Sequence, residues 1–509
     1  MGVFPEDYEI FVSQLIKLWV AEGFVKPLSH KSLEELAEDY LSNLIKRSLV
    51  EVRRRNGNGE IKSIVIHDML RELSVQKAQE EKFLQLMNSD HHVFPQGRNN
   101  QRRVSIQFNN FNHPVFTVVH DSYLHSLLFF RCYSTSFKLV SVTLSFRLLK
   151  VLDALKITFD EFPIGIVELV HLRYIALCFG GEGRLPESIC KLWNLQTLVV
   201  YRTDLRNLRS DILYLPLNIW KMPQLRHLLF ERGFFPYPFL AEVIEKDVVV
   251  LENLQTLSDV KNFPCTKEVL ELMPNLKKLG ISYVHESGTE WSFYEFNNFV
   301  YLQKLDTLKC EFISKDDGVG KHLPLKLALP LNLRKLTLQG CTISWENMSV
   351  IGSLPNLEVL KLRNFEFEGS VWEPNEGEFT KLKYLLIHIS SLEQWHADYT
   401  HFPQLQHLCL SFCSMLEAIP PEFGDIASLE TIELYTCSSS VVDSAMLIQE
   451  DQQNLGNEGF RVRVTSYSDY FHSKFHTSLR KVLRAKSTRT HLLSSLAAQR
   501  FLEAKRRVY

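Results

Sequence analysis

From about residue 120 the chain keeps restating one phrase, L-x-x-L-x-L. It is written as YLHSLLFFRC (123–132), HLRYIALCF (171–179), NLQTLVVYRT (194–203), QLRHLLFERG (224–233) and NLKKLGISYV (275–284). It returns as NLRKLTLQGC (332–341), NLEVLKLRNF (356–365), KLKYLLIHIS (381–390), QLQHLCLSFC (404–413) and SLETIELYTC (428–437). With looser copies at Leu149, Leu254 and Leu302 there are thirteen, their first leucines 22 to 31 residues apart. That period and pattern are those of a leucine-rich repeat. The L-x-L pair alternates like a strand, so its leucines face one way and the residues between them the other. One turn alone cannot hide its leucines, whereas stacked turns share a continuous core. Amphipathic helices with the same leucine spacing explain one copy, but not thirteen at one period.

Linking segments carry a second signature: FPIGIVEL (162–169), LPESICKL (185–192) and LPLNIWKM (215–222). Proline removes a strand donor, and an isoleucine three residues later can plug the core, so irregular or short helical convex turns are expected. Cys132, Asn262, Cys310, Cys341, Cys413 and Cys437 each lie eight residues after a first leucine. At that position a small polar side chain can satisfy loop backbone groups. Cys413 and Cys437 fall in successive repeats, about 5 Å apart at Cα. A buried, reduced ladder is the reading preferred over a disulfide. Asp259 and Thr307 occupy positions that should be apolar, so irregular bulges are expected between 230 and 330.

The alternation places a set of polar and aromatic residues on the inner face: Arg173, Tyr174, Tyr201, Arg202, Arg226, His227, Lys277, Tyr283, Arg334, Lys335, Lys361, Arg363, Lys383, His388 and Tyr435. Thirteen strands about 4.8 Å apart make an arc on the order of 60 Å, long enough for a protein partner. Arg and aromatic side chains are favoured anchors in such interfaces.

The first hundred residues differ. EIFVSQLIKLWVAE (9–22) has a helical apolar period and Gly23 as its stop, and SLEELAEDYLSNLIKRS (32–48) is a second helix. LVEVRRR and IKSIVI flank Asn56-Gly57-Asn58-Gly59, a hairpin signal, and a third helix is expected over 68–86. Helices followed by a hairpin describe a winged helix. Such domains often bind DNA, but a recognition helix facing phosphates should be basic. The candidate opens with Glu34, Glu35, Glu38 and Asp39, so nucleic acid is not the expected partner.

GVFPEDYEI (2–10), LIKLWVAEGFV (15–25), the helix 32–48 and VIHDMLRELS (65–74) occur in this order and spacing. Together they resemble the winged-helix segment of plant intracellular nucleotide-binding leucine-rich-repeat immune receptors of the coiled-coil class. That family carries Met-His-Asp at this strand-to-helix junction, and Ile66-His67-Asp68 stands here. The resemblance implies that His67 descends from a histidine contacting the β-phosphate of ADP, and that the arc restrains the switch domains until a ligand competes. Asp68 is expected to cap the helix and complement its dipole.

The phosphate loop G-x-x-x-x-G-K-[ST] does not occur in these 509 residues. No cofactor is therefore expected for this chain alone, since the family's ADP or ATP is held by a separate nucleotide-binding domain. An N-terminally truncated receptor is expected.

Charge and composition narrow the rest. A net charge of −2 gives no global pull toward nucleic acid or acidic lipid. There is no secretory signal, and the cysteines are odd in number and scattered, which points to the cytoplasm, with nuclear or peripheral plasma-membrane association as variants. No motif marks an enzyme or a metal site.

The expected architecture is α/β: a winged helix at 1–90, a linker or cap at 91–120, a leucine-rich-repeat horseshoe with a parallel inner sheet at 121–465, and a basic tail at 466–509. Residues 479–509 hold nine Lys or Arg against one Glu, which suits an anionic membrane or nuclear import. The expected function is plant defence: binding a pathogen effector, a guarded host protein or a full-length receptor of the same kind. A ubiquitin-ligase substrate adaptor and a regulatory decoy fragment are the alternatives.

Overall fold

The computed structural model describes residues 1–28, 30–87, 102–107, 123–130, 146–181, 183–202, 213–236, 249–285, 295–314 and 327–465. Three helices and a small sheet come first: β1 (Ile10–Phe11), α1 (Val12–Glu22), α2 (Leu33–Lys46), β2 (Val50–Arg55), β3 (Ile61–Ile66) and α3 (Asp68–Glu80). Gly23, at φ +80°, closes α1 in the left-handed conformation that glycine adopts without strain. A capping box opens α2: Ser32 accepts from the Glu35 amide while the Glu35 carboxylate accepts from the Ser32 amide. β2 and β3 pair antiparallel across the Asn-Gly-Asn-Gly turn and form the wing, and β1 joins the other side of β3.

Behind this domain runs a parallel sheet of 18 strands among the described residues, from Gln85–Met87 to Arg461–Thr465. It starts before residue 90 and includes Arg103–Ile106, so the sheet enters both the winged-helix span and the linker span set by the sequence boundaries. Short strands with no leucine phrase of their own cap the stack there. The repeat leucines form its core: Leu405, Leu408 and Leu410 are fully buried, as are Leu333 and Leu336. Each proline-containing link is a short 3-10 turn. In these turns Ile166, Ile189 and Ile219 donate to Pro163, Pro186 and Pro216 while their side chains are fully buried.

Asparagines before the first leucines add a ladder that the pattern did not reveal. Asn194, Asn253, Asn275, Asn332 and Asn356 each donate to a carbonyl one turn back, at 2.7 to 3.0 Å. The ninth-position side chains also bond backbone. Asn262 accepts from the Val284 amide at 2.6 Å, and the Cys413 and Cys437 thiols donate to Ile387 O and Leu410 O. Both cysteines are free thiols.

The two irregular repeats resolve differently. Asp259, at φ +56°, is the bulged residue of its strand, and Val260 takes the core position opposite Ile281. In the repeat at 302, the phrase starts at Leu305 rather than Leu302. Leu308 aligns with Leu279 and Leu336, which puts Cys310 in the strand and core, not at the ninth position. Tyr283 shares the phase of Leu279 and Ile281, so it is a core residue stacked on Phe312, not an inner-face residue. Asn347, which opens the chain's single Asn-x-Ser/Thr sequence (Asn347-Met348-Ser349), is 1% exposed and accepts from the Leu327 amide. The basic tail and Cys132 lie outside the described residues.

Candidate functional site: the inner face and the winged helix docked on it

The winged helix sits on the inner face of the arc. One apolar cluster joins Leu15, Leu18 and Ala21 of α1, with Ile10, Leu41 and Ile64, to Leu128, Phe130, Val151, Tyr174, Ala176 and Val199 of the first repeats. On these strands the residues between the leucines are themselves apolar, so the strands are buried on both faces. Each fully buried aliphatic side chain contributes roughly 1.5–3 kcal/mol.

Charge continues the contact along the arc. Glu34, in the first turn of α2, accepts from Arg226 Nε at 2.7 Å and Nη2 at 2.6 Å, and from Gln255 Nε2 at 2.7 Å. His227 Nε2 lies 3.2 Å from the same carboxylate and its Nδ1 lies 3.1 Å from Thr256 Oγ1. Burial alone would raise the Glu34 pKa, but hydrogen bonds from Arg226 and His227 hold it well below the carboxylate range. Burial pushes His227 down to about 4, only partly offset by Glu34, so the ring is neutral at pH 7. The geometry then fixes the tautomer: Nε2–H donates to Glu34 and Nδ1 accepts from Thr256.

Further along, Lys277 donates to Glu35 at 2.7 Å, Arg334 pairs with Glu60 at 3.1 Å, and Lys335 pairs with the same Glu60. At the wing tip Asn58 Nδ2 donates to Glu358 at 2.9 Å, and a Cβ at Gly57 would fall 2.2 Å from the Tyr384 ring. At the other end Glu22 holds Arg103 at 2.7 Å and Gln14 donates to the buried Asp153 at 2.9 Å. Burial raises the Asp153 pKa, opposed by hydrogen bonds from Gln14, Leu155 and Tyr174.

The inner-face residues expected to be free therefore divide into two sets. Tyr174 and His227 are buried under the winged helix, and Arg226, Arg334 and Lys335 are held by its carboxylates. Arg173 borders it beside Gly23, and Tyr201 lines a cleft of about 260 Å³ with Tyr8 and Phe11 from the domain. Arg202 donates to Gly181 O, and Lys383 to Glu358. Lys361, Arg363, His388 and Tyr435 stay on the uncovered end of the inner face, with Tyr435 Oη donating to Glu433 at 3.2 Å. Alternation within a repeat says which side a residue faces, but not what another domain puts there.

The signals for docking were present but separate. Runs such as SLLFF, YIALC and TLVV mark strands apolar on both faces, and the acidic opening of α2 complements the basic inner face.

His67 is exposed and occupies the N-cap of α3, where its backbone carbonyl accepts from Arg71. Asp68 is therefore the first residue inside the helix, not the cap; neither side chain makes a capping bond, and Asp68 acts only on the dipole. Met69 and Leu73 are 76% and 58% exposed beside His67. Among the described residues no group of three or more His, Cys, Asp or Glu could hold a metal, and no helix is long and apolar enough to cross a membrane.

Comparison with known proteins agrees with this architecture. The family model for the disease resistance protein winged helix domain matches residues 3–74, and that for a leucine-rich repeat region matches 123–345. Neither describes an enzyme. A late blight resistance protein homolog of Solanum demissum is 34% identical over 479 residues, 89% of this chain and 36% of that one. A late blight resistance protein of the same species is 32% identical over 488 residues, 92% of this chain and 36% of that one. The chain thus spans about a third of the length of these relatives. A solved leucine-rich-repeat protein of Leptospira interrogans, 16% identical, covers 76% of this chain and 98% of its own with a TM-score of 0.38. The chain belongs to the plant disease-resistance proteins of the nucleotide-binding leucine-rich-repeat type, of which it carries a winged helix and repeats.

Proposed function

We propose that this chain is the recognition and restraint part of a plant immune receptor, in which the repeat arc grips the winged helix and a protein ligand competes for the arc. The observation that carries this is the Glu34 cluster with Arg226, His227 and Gln255, continuous with the shared apolar core. A contact that stabilises one arrangement of two domains biases a switch only if a ligand prefers the other arrangement. Mixed polar and apolar docking suits that role, because a partner of like charge pattern can displace it. The exposed Met69 and Leu73 beside His67 are an apolar strip suited to a neighbouring switch domain, where His67 would face a nucleotide phosphate held by that domain.

Hydrogen exchange on the full chain tests the restraint. Glu34→Arg or Arg226→Glu should speed exchange in α2 and in strand His227–Phe234, and the double swap should restore part of the protection. Unchanged exchange in both single variants would remove the basis for the reading.

A further inference from the structure

Past the wing tip the register of the inner face can be read as a grid. One row runs Lys335, Val359, Tyr384, His407, Thr431 and Arg461. The next runs Thr337, Lys361, Leu386, Cys409, Glu433 and Arg463, and the third Gln339, Arg363, His388, Ser411, Tyr435 and Thr465. Lys361 and Arg363 are thus side by side on one strand, and none of their cross-strand neighbours Thr337, Leu386, Gln339 and His388 is a carboxylate. Lys361 makes a cation–π contact with Tyr384, 5.2 Å from the ring centroid, and its pKa is lowered by burial and then by Arg363 and Lys62. The grid's one carboxylate, Glu433, is already engaged by Arg463 at 3.4 Å and Tyr435 at 3.2 Å.

On the covered half Arg226, Lys277, Arg334 and Lys335 each meet a carboxylate of the winged helix. Lys361 and Arg363 continue the same basic stripe beside the wing tip, next to a nearly buried floor of Leu386 and Cys409 rimmed by the half-buried rings of Tyr384, His388 and Phe412. We propose that Lys361 and Arg363 receive an acidic protein segment, two neighbouring carboxylates followed by an apolar side chain that seats on Leu386 and Cys409. Three features support this occupant: the like charges side by side, the docked precedent on the same face, and continuity with that interface. A nucleic acid would need cations repeated along its backbone, whereas this stripe turns apolar after one strand. The proposal deepens the reading above by naming the ribs and the chemistry of the competing ligand.

The test is fluorescence anisotropy of the full chain with a labelled, capped ten-residue peptide of Glu pairs alternating with Leu. A Lys-for-Glu peptide, inorganic phosphate and a single-stranded RNA are the comparison probes. Binding should be confined to the acidic peptide and weaken by about tenfold in Lys361→Gln/Arg363→Gln. It should be unchanged in Lys191→Glu on the convex side. No acidic-peptide binding, equal loss in the convex variant, or equal competition by RNA or phosphate would overturn it. Hydrogen exchange of α2 is read in the same samples. If α2 protection stays normal while peptide binding fails, only this site is lost; if α2 is unprotected in the parent chain, the restraint reading is what fails.

Discussion

The Arg226 guanidinium donates to the Glu34 carboxylate through Nη2 at 2.6 Å, across 192 residues of chain. Both side chains are nearly buried, so each depends on the other to be tolerated there. This pair ties the acidic start of a helix to the entry of a repeat strand and fixes where the winged helix sits on the arc.

Arg226→Ala should destabilise the docked chain by about 3–5 kcal/mol, because Glu34 would be left buried with only His227 and Gln255. Urea unfolding measures it. A change near that of an exposed pair, under about 1 kcal/mol, would mean that the contact opens readily in solution.

Acid should loosen the same contact. The folded His227 pKa is lowered from 6.5 to about 4, so its stabilising effect is complete above pH 6.5 and is lost as pH falls toward 4. The size is on the order of 3 kcal/mol over that interval. Glu34, also depressed, adds its loss below its ordinary 4.5. Arg226, Lys17 and Thr256 also face the ring, and both cations disfavour its protonated form. Stability measured from pH 7 to 4.5 should fall in the parent and flatten in His227→Gln.

Gly57→Val should free the wing tip without unfolding the repeats. The added Cβ would meet Tyr384 at 2.2 Å from Cδ2 and 2.9 Å from Cβ, so rotating the ring away cannot relieve it. Exchange should rise in β2 and β3 while strand Tyr384–Ser390 stays protected, and Tyr384→Gly, which removes the Cβ as well as the ring, should reverse the effect.

Gly340→Ala probes the stack itself. Gly340 has φ +75°, and a Cβ there would come within 2.1 Å of Phe312 O on the adjacent repeat. Left-handed backbone alone costs about 1 kcal/mol or more for a residue with a Cβ, and this clash adds backbone movement. A fall in thermal midpoint of several degrees is expected, on the order of 2–4 °C per kcal/mol for a domain of this size.

How far the chain could be read from its letters differs between its parts. The repeat period, the Pro-x-x-Ile turns and the wing hairpin are local patterns whose spacing corresponds directly to geometry, so strands, core leucines and buried isoleucines follow from them. Register faltered where one residue more or less was decisive. At Asp259 a bulge expels the aspartate and admits Val260, and at Leu305 the phrase starts three residues later than at Leu302. Spacing alone does not rank two neighbouring leucines; pairing with Leu279 and Leu336 does.

What the sequence determined by itself is a stack of turns that hides its leucines jointly, preceded by a helical domain with a hairpin. That follows because burial of a periodic apolar set depends on neighbours one repeat away. Only the tertiary structure decided that Tyr174 and His227 are covered by the winged helix while Lys361 and Arg363 stay half-buried, with no carboxylate opposite them on the neighbouring strands. Docking matches two surfaces about two hundred positions apart, and no local spacing encodes which carboxylate of α2 meets which arginine of the arc.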